Sequence, residues 1–230
     1  MDYKDLTIDA SSLGEAWLKS LAIVLKHGVY ITDGPVNLIE VCNLYVRIHS
    51  ICNEDPVIKK YADKERIELM RLKYYSCEVV HNYKVSYGKL LYDNMGVNQI
   101  EWVINRIKNK LETKSATISF HHPGNEDLIC LSLLDFKLRN RSLSMTAVYR
   151  SQNVFGSQPG NILVLREVQE YVARQVGVDS GEFNLVILSA HIYEDDIEKA
   201  TKTVEEGNIG VKSVDQLLLK EGKKGRVHFS

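Results

Sequence analysis

Cys130 and Arg150 stand at the two ends of CLSLLDFKLRNRSLSMTAVYR. In this segment two alternating stretches, Ile129 to Leu138 and Leu143 to Arg150, flank the polar tetrapeptide Arg139-Asn140-Arg141-Ser142. That pattern predicts two strands joined by a tight turn, opened by a cysteine and closed by Arg150-Ser151. A free thiol near its reference pKa of ~8.5 is mostly protonated at neutral pH, and a nearby guanidinium lowers that value toward the nucleophilic thiolate. The plain alternative is a small buried hydrophobe. Alternation puts Cys130, Ser132, Leu134, Phe136 and Leu138 on one strand face, which predicts a sheltered thiol.

Further along, Asn161 offers a carboxamide that both donates and accepts. It is also placed to cap the helix that Ile162, Leu165, Val168, Val172 and Val176 predict, with Gly177 as its end. His191 and Tyr193 lie two apart at the end of a strand, so both side chains face one way and could reach the same hydroxyl group. A His and a Tyr there are equally ordinary sheet residues. His121 and His122 are adjacent and would point to opposite faces with no third ligand spaced to join them, so no metal is expected.

The elements that must position these groups follow from periodicity. Ser12 to Glu15 has capping-box spacing ahead of an apolar stripe of Leu13, Trp17, Leu18, Leu21, Val24 and Leu25 that ends before Gly28. Asp33-Gly34-Pro35 signals a turn, and Val36 to Ile51 predicts a long strand with Arg47 and His49 on one face. Asp55 to Tyr75 fits one or two helices. Ser86 to Lys89 interrupts the pattern before a helix over Gln99 to Leu111, and Lys114 to His122 predicts a strand stopped by Pro123-Gly124-Asn125. Phe183 to Leu188 is a nearly unbroken apolar run that suits a strand buried on both faces. The tail from 207 predicts loop with a short helix at Val214 to Lys220.

The chain has 230 residues, 44% of them hydrophobic, enough for one domain spanning 1–230 with a full core. A formal net charge of −1 gives no reason to expect nucleic acid or a membrane surface as partner. Four cysteines without CxxC pairing, no leader and no long apolar run predict reduced thiols in a soluble cytoplasmic protein.

Taken together, Cys130, Arg150-Ser151-x-Asn153, Pro159 and Asn161, then a helix and a strand running into Ala190-His191-Ile192-Tyr193, resemble the thymidylate synthase family. Its pattern is a cysteine, twenty residues later R-S-x-D-x-x-x-G-x-P-x-N, then a helix and a strand ending in A-H-I-Y. The resemblance runs from Cys130 to about Glu198. It is looser from Tyr87 to Pro123, where Tyr87-Gly88 and Asn98-Gln99 look like the Y-G and D-Q landmarks. It implies an α+β fold with one large mixed β-sheet and packing helices, in a homodimer. It also implies transfer of a one-carbon unit from 5,10-methylene-tetrahydrofolate or a related reduced pterin to C5 of a uridine nucleotide, dUMP favoured.

The matching positions would act as follows. The Cys130 thiolate adds to C6 of the uracil ring, and Arg150 lies between that thiolate and the nucleotide phosphate, which Arg150 and Ser151 hold by charge-assisted hydrogen bonds. Asn161 pairs with O4 and N3–H of uracil, where an aspartate would accept from cytosine. His191 and Tyr193 hold the 3′-hydroxyl. Lys114, followed by Ser115, stands where the family has paired arginines that reach the partner subunit's phosphate site. Asn153 replaces the aspartate that contacts the pterin.

The departures have consequences. The loop Ile31 to Gly34 lacks an arginine usual in the family, so a further phosphate cation would have to be Arg47, Arg139 or Arg174. The family's general-base glutamate would be Glu68 or Glu78. Asn153 and a missing G-Y-x-P-H-P segment leave a pyrimidine nucleotide C5 hydroxymethylase as one alternative, and Asn153 with the thinned phosphate site leaves a non-catalytic nucleotide-binding protein as the other.

Overall fold

The computed structural model describes residues 6–49, 52, 54–79, 86–122, 124 and 128–207. A short strand β1 (Thr7–Ala10) leads to helix α1 (Leu13–His27), which starts where the capping spacing predicts. The Ser12 hydroxyl accepts from the Glu15 amide at 3.1 Å, while the Glu15 carboxylate accepts from the Ser11 amide at 2.7 Å. Its stripe of Leu13, Trp17, Leu18, Leu21 and Val24 is buried. Strands β2 (Val29–Asp33) and β3 (Val36–Ile48) pair antiparallel around Gly34, whose φ of +58° suits a residue without a Cβ. β3 ends earlier than its composition predicts. Arg47 and His49 do share a face, where both meet Asp9 and Glu182.

The charged stretch forms two helices, α2 (Pro56–Tyr61) and α3 (Lys64–Tyr75), each capped by an aspartate, Asp55 and Asp63. Ser86 to Lys89, which reads as an interruption, instead begins helix α4 (Tyr87–Tyr92): the Ser86 hydroxyl accepts from the Lys89 amide at 3.0 Å. A Cβ on Gly88 would sit 2.3 Å from the Ser76 carbonyl, so α4 packs tightly on the end of α3. Helix α5 (Gln99–Asn109) buries Ile100, Val103, Ile104 and Ile107 and stops short of Leu111, which is exposed.

Strand β4 (Ala116–Ser119) is shorter than expected. β5 (Leu131–Arg139) and β6 (Ser142–Tyr149) form the predicted hairpin, but its loop has two residues: Arg139 pairs with Ser142, and Asn140 and Arg141 adopt φ of 48° and 62°. Two left-handed residues match the twist of the flanking strands. After β7 (Gln152–Asn153), helix α6 (Gln158–Val176) begins three residues before Asn161, with Ser157 at the N-cap position and Pro159 in the first turn, where no amide donor is needed. Asn161 is therefore inside the helix, not its cap. Gly177 closes it at φ 81°.

Strand β8 (Asp179–Tyr193) is the centre of the sheet, followed by a 3₁₀ turn at Glu194–Asp196 and helix α7 (Ile197–Glu206). The order is β1-β3-β8-β6-β5-β4, with β2 on β3 and β7 on β8; β1/β3, β6/β8 and β7/β8 are parallel and the other pairs antiparallel. This is the expected α+β architecture with one large mixed sheet. Helices α1, α6 and α7 contact β8, and α1 and α6 contact each other. Phe183, Leu185 and Ile187 are buried, but Leu188 is exposed, so β8 is not covered on both faces throughout. On the less covered face Tyr45, Val186, Val148 and Leu133 stand side by side across four strands, all half-buried. The helix expected at Val214 to Lys220, Pro123 and Asn125 lie outside the described residues.

Candidate active site

A cavity of about 460 Å³ opens where the ends of β7 and β8, the start of α6 and the residue before β5 meet one face of α3 and the first residue of α4. Six residues singled out in the sequence line it: Cys130, Ser151, Asn153, Asn161, His191 and Tyr193. The parallel pairing of β7 with β8 sets Asn153 opposite His191, and the Val154 amide donates to the His191 carbonyl at 2.9 Å. From below, the buried Trp17 indole donates to the Val154 carbonyl at 2.9 Å, tying α1 to this turn.

Cys130 is exposed, contrary to the alternation argument. The β5/β6 ladder shifts register between Leu131 and Leu133, so the side-chain alternation counted back from Leu134 breaks, and Leu131 takes the core position while Cys130 is left outside the strand. Arg150 holds this residue by its backbone. Its amide donates to the Cys130 carbonyl at 2.9 Å, its Nε to the Ile129 carbonyl at 3.1 Å and its terminal nitrogen to the Leu128 carbonyl. The guanidinium itself is not among the groups lining the cavity.

His191 is buried, with Nδ1 3.4 Å from the Ser151 hydroxyl and Nε2 without a protein partner. Burial lowers its pKa, so at neutral pH the ring is uncharged and has one nitrogen free to meet a ligand hydroxyl. Its ring packs edge-on to Tyr193 at 5.1 Å. Asn161 accepts at Oδ1 from the Tyr74 hydroxyl (3.3 Å), which also pairs with the Tyr149 hydroxyl at 2.9 Å. Burial raises both tyrosines well above their ordinary range, which keeps them protonated donors behind the amide. The Asn153 side chain accepts from the Gly156 amide at 2.8 Å, bracing the turn into α6.

Lys114 is exposed in the turn between α5 and β4 and does not line this cavity; its expected role was at a partner's site. Of the three candidate cations, Arg47 pairs with Asp9 and Glu182, Arg139 turns its guanidinium to the Leu138 carbonyl, and Arg174 lines a separate cavity with Tyr75 and Glu167. Glu68 pairs with Arg71 beside another depression, and Glu78 is exposed just past α3. Neither lines the cavity, whose carboxylate among the described residues is Asp196.

Sequence reasoning missed the wall that α3 forms and gave Tyr87 of α4 only as a landmark of the resemblance. Arg66, Leu69, Met70 and Lys73 project from α3, and Tyr87 from α4. Their spacing of three and four residues was the available signal. Arg66 approaches Asp196 at 4.0 Å and Asp63 at 3.9 Å and lies over Gly156, where a Cβ would meet its guanidinium at 1.9 Å. Lys73 is buried, with Nζ 4.9 Å from the centre of the Tyr87 ring. Burial lowers its pKa to about 8, while the neighbouring Cys130 acts to raise it. Among the described residues no cluster of His, Cys, Asp and Glu could hold a metal ion, and no helix is long and apolar enough to cross a membrane.

A mixed sheet whose strand ends bring a thiol, a neutral histidine and a tyrosine to one polar cavity beside a helix start defines a class of α+β proteins with a thiol facing a polar cavity. Residues 50–223 match the thymidylate synthase family, and the chain belongs to that family. It is 31% identical over 204 residues to a protein of Methanosarcina mazei and 32% identical over 205 residues to one of Methanococcoides burtonii, each covering 86% of this chain and 94% of the relative. A protein of Methanothermobacter marburgensis is 27% identical over 219 residues, covering 87% of this chain and 98% of the relative. All three carry the name "Putative thymidylate synthase".

Proposed function

We propose that the protein transfers a one-carbon unit from 5,10-methylene-tetrahydrofolate or a related reduced pterin to C5 of a uridine nucleotide, dUMP favoured. The observation that carries this reading is the meeting of Cys130, Ser151, Asn161, His191 and Tyr193 on one cavity. The Cys130 sulfur forms a bond to C6, and the C5–C6 π pair moves toward O4. C5 then bonds to the one-carbon unit, the C5 proton leaves to a base, and the pterin nitrogen departs to give an exocyclic methylene. Hydride from the tetrahydropterin, which is oxidised to the dihydro form, completes a methyl group as the sulfur leaves; water in its place gives hydroxymethyl.

Each group has a task suited to its setting. Asn161, held by Tyr74, presents its amide to the base, and the unpartnered Nε2 of His191 with Tyr193 suits the sugar hydroxyl. Ser151 and Arg66 face the space available to a phosphate. The half-buried row Tyr45, Val186, Val148 and Leu133 supports a homodimer joined sheet to sheet. Val186→Glu places charge in that row, and sedimentation velocity is expected to show monomer where wild type shows dimer.

The activity test is release of tritium from C5 of labelled dUMP and UMP, with and without methylene-tetrahydrofolate, followed by the mass of the product. Release that needs Cys130 supports the reading, and a methyl or hydroxymethyl product separates the two outcomes. No release from either nucleotide with any reduced pterin overturns it.

A further inference from the structure

We propose that Lys73 is the cation that holds Cys130 as a thiolate, leaving Arg150 to position Cys130 through the backbone. The inference rests on Cys130 being the nucleophile. Among the described residues, the titratable groups that line the cavity with Lys73 are Arg66 on its own helix, Tyr87 from α4, Cys130 ahead of β5, His191 and Tyr193 from β8, and Asp196. Of these, His191 is kept neutral by burial and Arg66 is drawn to Asp63 and Asp196. The Arg150 guanidinium is spent on the Leu128 and Ile129 carbonyls. Lys73 is 8% exposed and its amine lies over the Tyr87 ring, whose face attracts a cation while burial disfavours one.

Tyr74 and Tyr149, buried behind the thiol, stay protonated and supply no competing charge. With its pKa near 8, the Lys73 amine is mostly ammonium at neutral pH, yet close enough to neutrality to exchange a proton with a thiol. Where the amine is neutral, thiol plus amine gives thiolate plus ammonium; where it is already ammonium, the thiol proton leaves to water. The ammonium then shares the cavity with the sulfur, and its charge favours the thiolate. The device differs from a guanidinium partner because its charge can be withdrawn: above about pH 8 the thiolate loses its counter-ion.

The test is the pH dependence of iodoacetamide alkylation at Cys130, read peptide by peptide by mass spectrometry, with Cys42, Cys52 and Cys77 as internal references. Lys73→Met is expected to move the Cys130 midpoint up by about one unit, a roughly tenfold loss of rate at pH 7. Lys73→Arg is expected to restore it, and the reference cysteines to stay put. An unmoved midpoint in Lys73→Met overturns the pairing. A reciprocal measurement avoids any change at the buried position: in Cys130→Ser the Lys73 amine, followed by ¹³C NMR of its Cε, titrates lower than in wild type, and an unmoved amine overturns the proposal. Neither readout uses nucleotide or pterin, so the pairing can stand if the transfer reaction fails, and fail if it stands.

Discussion

The two walls of the cavity are built by different means. On the β side, Cys130, Ser151, Asn153, His191 and Tyr193 are placed by backbone pairing: a hairpin, a two-residue parallel strand and the end of the central strand. On the helical side, Arg66, Lys73 and Tyr87 are placed by side-chain contacts, namely ion pairs to Asp63 and Asp196 and the stacking of an amine on a ring. On the proposed reading, the first wall fixes where the reacting groups stand and the second adjusts their charge. Backbone pairing tolerates few changes of register, since a one-residue slip reverses every side chain. A helical face can exchange one long side chain for another and keep its shape.

Breaking the β wall should have the largest effect. Trp17 is 1% exposed and carries the hydrogen bond that pins Val154 beneath the site. Trp17→Ala is expected to destabilise the fold by about 3–5 kcal/mol, read as a lower urea midpoint with an unchanged slope. A loss under about 1 kcal/mol would mean that the turn is held without α1.

A smaller effect is expected where the walls meet, at Asn161 with Tyr74 behind it. Asn161→Asp replaces the amide donor with an acceptor, so uracil N3–H keeps its acceptor but O4 faces a carboxylate oxygen, at a loss of about 1–3 kcal/mol. Binding of dUMP should weaken by ten- to a hundredfold while that of dCMP strengthens. Equal weakening of both would show that Asn161 serves the helix and not the base.

The smallest effect sharpens the contrast on the helical side. Lys73 is held at about 8 against an ordinary 10.5, so between these values the unfolded chain binds a proton that the folded chain has lost. Its contribution to stability therefore rises with pH from about 8; below that both states are protonated and the folded one carries the full burial penalty. Above about pH 10 Tyr74 and Tyr149 act in the opposite sense, because the folded state keeps protons that the unfolded state releases. The difference in urea midpoint between wild type and Lys73→Met should thus change in favour of wild type between pH 8 and 10. A constant difference would place the ammonium in water.

The same contrast governs what can be read from the chain alone. In the β wall, strand and turn geometry convert spacing into position: of the seven residues from Cys130 to Tyr193 that spacing singles out, six share one cavity, and Arg150 does not line it. Alternation failed only at Cys130, where the register shift beside Leu131 interrupts the period. Reading Asn161 as a cap starts α6 too late, whereas Pro159 two residues earlier already suits a first helical turn. The α3 and α4 wall was opaque for another reason. Charged residues surround α3, so nothing in its pattern marks Lys73 as buried; that follows from Tyr87 and Cys130, which lie 14 and 57 residues away in the chain.

The central claim is that the exposed thiol at the head of β5 is the nucleophile. Its most direct measurement is tritium release from C5 of dUMP by wild type and by Cys130→Ala at matched folding, confirmed by circular dichroism. Because Cys130 lies outside the core, the variant should unfold at the wild-type urea midpoint yet lose release by at least about a thousandfold. Release that persists in Cys130→Ala would contradict the account.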